Sequence, residues 1–445
     1  MDELILDILK QLRDGSQGAL DTHQLEMLIN SHNSGIDSSA HSTEREKLIP
    51  KRAILPYFLQ VKQNNDELWQ SWNVTPELEE RFIRSVRMKP RRTASGVATI
   101  TVITRPHTCS SNCIYCPCDL RMPKSYLANE PACQRAELTF FDPYVQVAAR
   151  LQALHQMGHS TDKVELIVLG GTWSDYPEGY QYWFIKELFR ALNEWPNSPS
   201  RIQERLDWYS SFGVQNTEEA LSSFVAEQQA AVFEDTATYN QAFHKLYDTS
   251  QPHQSAWSRM ESTYDELVEQ QHVNETAAAR VVGLVIETRP DTITPDNLRM
   301  FRQLGCTKIQ IGIQSTRQEI LDANKRQMSA AQIKRAFSLI RLYGFKIHSH
   351  LMVNLLGATP EADKQDFKTF VTDPGFLPDE IKLYPCALVS GTQLVQKYRE
   401  GAWQPYDKDE LVDVLVQDVL NTPPYVRISR MIRDISATDI LVGNK

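Results

Sequence analysis

Hydrophobic positions along the chain fall into three regimes. Over residues 1 to about 88 apolar side chains recur three and four apart, as in Leu4, Ile5, Ile8, Leu9 and Leu12 and again in Leu25, Leu28 and Ile29, which predicts helices that bury one face. A polar loop, Ser31 to Ser42, separates these groups. From residue 96 six short apolar, β-branched segments appear: Val97–Thr104, Val164–Leu169, Val282–Glu287, Lys308–Ile313, Ile347–Val353 and Glu380–Tyr384. Helical runs such as Thr294–Leu304 and Ser329–Tyr343 alternate with them, stopped by Gly305 and Gly344. Repeated strand–helix units predict a parallel α/β sheet, and six of them an open, partial TIM-type barrel. Residues 193–279 break the rhythm. They are polar, with helical stretches Thr217–Phe233 and Ser258–Gln270, and predict a helical insertion with structure of its own. After the sixth strand come Thr392–Tyr398, a helix over Lys408–Leu420, and a strand-like run Val426–Ile435 whose Arg427 and Asp434 are expected to turn toward the site. The expected division is a helical N-terminal region (1–92), a first barrel part (93–192), the insertion (193–279), a second barrel part (280–436) and a tail (437–445).

Chemistry-bearing residues gather at one end of each strand. The first strand leads into Cys109, Cys113 and Cys116, the second into Gly170-Gly171-Thr172, the third into Glu287 and Arg289, and the fourth into Gln314-Ser315; His350 and Met352 lie late in the fifth, and Lys382 and Tyr384 end the sixth. In β/α barrels the C-terminal strand ends form the active face. Three thiols on one loop are a metal-site signal. A closed structural zinc site needs four ligands, so zinc would have to recruit Cys118 or His107, whereas a [4Fe-4S] cluster on three cysteines keeps one iron open. A glycine pair lets backbone amides approach a ligand closely, and a tight turn looks the same in sequence. Glu287 and Arg289 share a strand face, as do Lys382 and Tyr384. They suit ligand binding, and an internal salt bridge is the alternative for the first pair. His350 is read as an interior histidine before a base.

Composition narrows the setting. With 445 residues, 41 % hydrophobic, the chain is an ordinary globular one of two or three domains. No window has the roughly 18 apolar residues of a membrane span, and the acidic start lacks a basic leader, so a cytoplasmic protein without a membrane partner is expected. Seven cysteines, four of them between 109 and 118, do not form a secreted disulfide framework. The net charge of −9 excludes a generally nucleic-acid-binding surface. Only the run containing Arg87, Lys89, Arg91 and Arg92 could bind a phosphate backbone locally, the alternative being a solvated face.

The C-x3-C-x2-C spacing with Tyr115 before the last cysteine resembles the radical S-adenosylmethionine (SAM) signature. Longer stretches resemble one family within it, Elp3, the catalytic subunit of Elongator: MKPRRTASGVATITVITRPHTCSSNCIYCP, EPACQRAELTFFDPYVQVAARLQALHQMGHSTDKVELIVLGGT, NETAAARVVGLVIETRPD and IKLYPCALVSGTQL. The resemblance covers about residues 80–190 and 274–436. It implies a radical SAM barrel that modifies C5 of the wobble uridine (U34) of tRNA, installing a carboxymethyl-type group from acetyl-CoA. It further implies a [4Fe-4S] cluster on Cys109, Cys113 and Cys116, and SAM beside Gly170, Gly171, Thr172, Glu287, Arg289 and Gln314. Lys163 would contact acetyl-CoA near the barrel mouth, and Lys382 and Tyr384 would line the reaction cavity. The family continues into a C-terminal acetyltransferase-like domain that this sequence does not reach. A short form is therefore expected, relying on an acetyltransferase-like partner and an electron donor. The alternatives are a paralogue with another substrate and a catalytically silent tRNA-binding scaffold.

Overall fold

The computed structural model describes residues 1–15, 18–34 and 48–443. The chain divides into two compact units, Met1–Thr99 with Ala149–Val164, and Ile100–Ala148 with Glu165–Lys445. The boundary of the helical region thus falls a few residues beyond 92, and a segment from between the first two strands joins it.

In the first unit the helices Asp2–Asp14, Thr22–Asn33, Lys51–Asn64 and Pro76–Val86 follow the apolar periodicity. Their inward faces, with Leu4, Ile8, Leu12, Leu25, Phe58 and Phe82, share one buried core with Trp72 from the connection before the last helix. Phe58 stacks on Phe82 with ring centroids 4.1 Å apart, a geometry that adds to the area effect. Start signals are local: Asp21 closes a capping box with Gln24, and Thr75 caps Leu78 ahead of Pro76. Most of the expected loop between residues 31 and 42 lies outside the described residues.

The second unit is built on a seven-stranded sheet in the order β1-β2-β3-β4-β5-β6-β8. The strands are β1 Ala98–Ile103, β2 Lys163–Leu169, β3 Arg280–Thr288, β4 Lys308–Gln314, β5 Lys346–Val353, β6 Glu380–Pro385 and β8 Arg427–Arg430. β3 through β6 and β8 pair in parallel. All six expected strands are present, and the run after residue 426 supplies a seventh. A separate antiparallel pair, β7 Leu388–Val389 with β9 Ile440–Val442, takes up part of the expected tail.

The curl of the sheet follows from one side chain. Lys308 Nζ on β4 lies 3.2 Å from Glu165 Oε1 on β2 and 3.0 Å from Glu380 Oε1 on β6. In a flat sheet β2 and β6, four places apart, would be separated by about 19 Å. One ammonium reaches both only because the sheet closes toward a barrel.

The insertion is helical, with Glu218–Phe233, Tyr239–Phe243, Gln251–Trp257 and Tyr264–Asn274 among its elements. The helix expected over 258–270 begins only at Tyr264, because Thr263 and Glu266 form a capping box that fixes the start there.

Candidate cofactor site

Cys109, Cys113 and Cys116 lie on an irregular loop after β1. Among the described residues no three His, Cys, Asp or Glu side chains already converge as a metal site, so the loop carries the thiols without drawing them to one point. The donor set nonetheless fits an iron–sulfur cluster. Two buried cations stand near the sulfurs, and the Asp175 carboxylate takes the N–H of Ser110 beside Cys109 at 3.0 Å. Arg326 Nη1 is 3.3 Å from Cys113 Sγ, and Lys124 Nζ donates to Ser111 O at 2.7 Å and to Asn112 Oδ1 at 3.4 Å. Burial pushes the Cys113 thiol up, but Arg326 and the Ser111 hydroxyl outweigh it and bring it to about 7. Burial dominates at Cys116, pushed up to about 12 although Lys124 opposes it. Bound iron would deprotonate such a thiol outright. His107 keeps one nitrogen free: its Nε2 lies 2.9 Å from the Asp175 carbonyl and its ring stacks on Tyr176, while its buried Nδ1 has no hydrogen-bond partner among the described residues.

Beside the loop, the chain leaves β2 through Gly170 and Gly171, with φ of 154° and 80°. A Cβ on Gly170 would sit 1.6 Å from Thr104 Oγ1, so only glycine fits there. Thr172 is buried, with its hydroxyl 3.7 Å from Cys109 Sγ. This brings the glycine turn against the cysteine loop. On β4 a bulge between Gly312 and Gln314 puts Gln314 at φ 73°, and its buried Oε1 has no hydrogen-bond partner among the described residues. A buried orphan acceptor in a well-packed chain calls for an outside donor.

Inside the barrel, Glu287 accepts a hydrogen bond from the Tyr126 hydroxyl, and His350 Nδ1 lies 3.7 Å from Glu287 Oε1. The other ring nitrogen of His350 is buried without a partner among the described residues, and burial, with Lys382 next, holds the ring far below the usual imidazole range. His350 is a neutral interior histidine. His350 and Lys382 are paired in register across β5 and β6, as are Met352 and Tyr384. Burial lowers the Lys382 amine to about 8 against the pull of Glu287, with Arg430 and Arg433 helping, and burial raises the Tyr384 hydroxyl to about 12. Arg289 is buried and gives both arms of its fork to Asp291, at 2.9 and 2.8 Å. The internal pair weighed for Glu287 and Arg289 is thus replaced by Arg289–Asp291, leaving Glu287 to Tyr126.

Three expected positions differ. Lys163 is the first residue of β2 and exposed, whereas the glycine turn follows the last. Seven strand residues, about 20 Å, separate the two ends, so Lys163 is not at the barrel mouth. Arg427 and Asp434 are exposed and do not enter the site; Asp434 pairs with Arg430 at 3.1 Å. Arg433 enters instead, donating to Glu130 at 2.6 Å and lying over the Tyr126 ring. In the first unit Lys89, Arg91 and Arg92 are exposed, and among the described residues none pairs with a carboxylate; Arg87 is half-buried. Lys124, Tyr126, Arg326 and Arg433 are additions that no local motif announced.

Residues 254–369 match the family model described as the radical SAM superfamily, and residues 378–445 the model of the radical SAM C-terminal domain. A tRNA uridine(34) acetyltransferase of Methanocaldococcus infernus is 34 % identical over 377 residues, covering 83 % of this chain and 58 % of that protein. Human Elongator complex protein 3 is 28 % identical over 373 residues, covering 81 % and 56 %. The solved structure of the archaeal Methanocaldococcus infernus Elp3 with an N-terminal deletion superposes with a TM-score of 0.54 at 30 % identity, covering 78 % of this chain and 59 % of that one. The chain therefore spans less than two thirds of the length of these relatives. Among the described residues no helix is long and apolar enough to cross a membrane.

Proposed function

We propose, from the premise that this chain belongs to the Elp3 family of radical SAM proteins, that it acts on C5 of the wobble uridine of tRNA and prepares that carbon for a carboxymethyl-type group. The observation that carries the reading is the meeting of the three-cysteine loop with the Gly170–Thr172 turn at Cys109 and Thr172, beside strand ends whose buried Gln314 Oε1 and His350 Nε2 lack partners. Cys109, Cys113 and Cys116 would hold a [4Fe-4S] cluster, and Gly170, Gly171, Thr172, Glu287 and Gln314 would surround SAM. When bound, these two groups supply the carbon radical that attack on an unactivated position requires.

The chain's own residues orient and exchange protons. The glycine turn exposes backbone amides, and Gln314 Oε1 accepts from the ligand. Arg289, held by Asp291, contributes a fixed positive charge rather than a free fork. Lys382 Nζ can take up or release a proton close to neutral pH, and Tyr384 stays a hydroxyl donor in the same range. Lys89, Arg91 and Arg92, with Arg87, offer the phosphate contacts for tRNA. Acetyl-CoA is the two-carbon source in this reading, contacted by Lys163 and engaged with an acetyltransferase-like module, and reduction needs an external electron donor.

Anaerobic incubation of the iron-loaded chain with SAM, reductant and tRNA tests the reading. SAM cleavage to 5′-deoxyadenosine is expected, stimulated by tRNA and lost in Cys113→Ala. An iron-loaded chain that binds tRNA but never cleaves SAM would make it a scaffold.

A further inference from the structure

The cysteine loop has little regular structure. Between Cys109 and Met122 few backbone groups are paired within the loop, an example being Cys116 N to Cys113 O at 3.2 Å. Backbone donors and acceptors in a buried loop must be satisfied somewhere. The middle of the loop is held from the barrel, with Ile114 bonded to Asn324 O and Leu394 N, and the insertion supplies partners at its two ends. Asn240 reads Cys109 from both sides: its Oδ1 accepts from Cys109 N at 3.1 Å and its Nδ2 donates to Cys109 O at 2.8 Å. Gln229 repeats the two-point contact beyond the last cluster cysteine, with Oε1 accepting from Leu120 N and Nε2 donating to Cys118 O, both at 2.8 Å. Tyr247 donates to Leu120 O and Tyr239 to Met122 O, again at 2.8 Å each. Each of these bonds spans more than a hundred residues of sequence. Leu120 itself is buried in an apolar cluster with Val225, Tyr239 and Phe243, so the bonds are shielded from water on one side.

We infer that the insertion is a clamp on the cluster-binding loop, with Asn240 and Gln229 as positioning residues that hold the backbone around the cysteines ready for metal. The inference rests on Cys109, Cys113 and Cys116 being the cluster ligands. The two points gripped belong to successive peptide groups, so each amide side chain fixes the short backbone unit between them. At Cys109 that unit carries the first thiol; at Leu120 it ends the segment carrying the last. The two grips bracket all three ligands. Metal could then bind without first ordering the loop, which removes an entropic cost from binding.

Hydrogen exchange on the metal-free, reduced chain tests this directly. In Asn240→Ala the peptide covering 107–122 should exchange about 10-fold faster, the factor for a local opening that loses two hydrogen bonds largely recovered by water. Gln229→Ala should act similarly at Leu120. Asn240→Asp keeps an acceptor for Cys109 N–H and should restore protection of that amide. Lys245→Ala, exposed on the same insertion, should change nothing, and the peptide covering β4 should stay at the wild-type rate in every variant. In the reconstituted chain, Asn240→Ala should also shift the electron paramagnetic resonance signal of the reduced cluster. Unchanged exchange over 107–122 in both alanine variants would overturn the clamp, as would acceleration that includes β4 equally in Asn240→Asp. Failure of the wild-type chain to load iron would sink the cluster reading and leave the exchange result standing.

Discussion

Thr104 and Gly170 touch so closely that a Cβ at 170 would fall 1.6 Å from Thr104 Oγ1 and 2.8 Å from its Cβ. Gly170→Ala should therefore destabilise the chain by about 3 kcal/mol or more, combining overlap with an unfavourable φ. Thr104→Gly removes the whole opposing side chain. In the double variant the glycine-turn loss should be partly recovered, a coupling that chemical denaturation of the four members of the cycle measures. Strict additivity would show that the backbone angle alone excludes a side chain there.

This contact also marks where the sequence is readable. The glycine pair, the strands and the cysteine loop are local patterns, each set by residues a few positions apart, and all appear where periodicity and turn chemistry put them. The distant cations of the site are not local, and of the two beside the thiols only Lys124 is near them in sequence. Arg326 reaches Cys113 across 213 positions, and Arg433 reaches Glu130 across 303. Nothing near Arg326 in sequence distinguishes it from a surface arginine, since its role comes from strand order and sheet curvature. The expected place of Lys163 at the barrel mouth differed for another reason. A motif placed it, but which end of β2 it occupies depends on where the strand begins.

Asp418 offers a stability test away from the site. It is fully buried on the helix Lys408–Asn421, and neither carboxylate oxygen has a hydrogen-bond partner among the described residues. Burial, then Asp363 and Asp366, push its carboxyl up from 3.8 to about 8, with Lys364 opposing. Between those values the folded chain holds a proton that the unfolded chain releases, so stability falls as pH rises through the window and levels off above it. Asn at 418 cannot ionise. Asp418→Asn should match wild type near pH 4 and exceed it by on the order of 2 kcal/mol at pH 8 in urea titrations, a discounted share of the full shift.

The basic turn should behave as a phosphate contact. Reversing Lys89, Arg91 and Arg92 to Glu should weaken tRNA binding and flatten its salt dependence, each lost contact lowering the slope of log K against log salt by about 0.7–0.9. All three side chains are exposed, so unfolding midpoints should stay within about 0.5 kcal/mol of wild type. Unchanged affinity across salt would make the turn a solvated surface.

Lys382 gives the pH dependence of the site itself. Burial lowers its amine from 10.5 to about 8, against Glu287 and with Arg430 and Arg433. Below about 8 the amine is charged in both folded and unfolded chains, and the folded one bears the cost of burying it. Between 8 and 10.5 the unfolded chain binds a proton that the folded chain does not, so stability rises with pH across this window. Lys382→Met should remove that rise, a difference of on the order of 2–3 kcal/mol between the two pH curves. At neutral pH the variant gains by losing a buried charge, but Glu287 loses a cation, so its net change there should be small. The same proton sets the chemistry. Substrate modification limited by Lys382 should change through a single ionisation near pH 8 that is missing in Lys382→Met, while SAM cleavage without tRNA, which does not use this amine, keeps its profile. A pH profile identical in wild type and variant would remove Lys382 from proton transfer and leave it a charge that only balances Glu287.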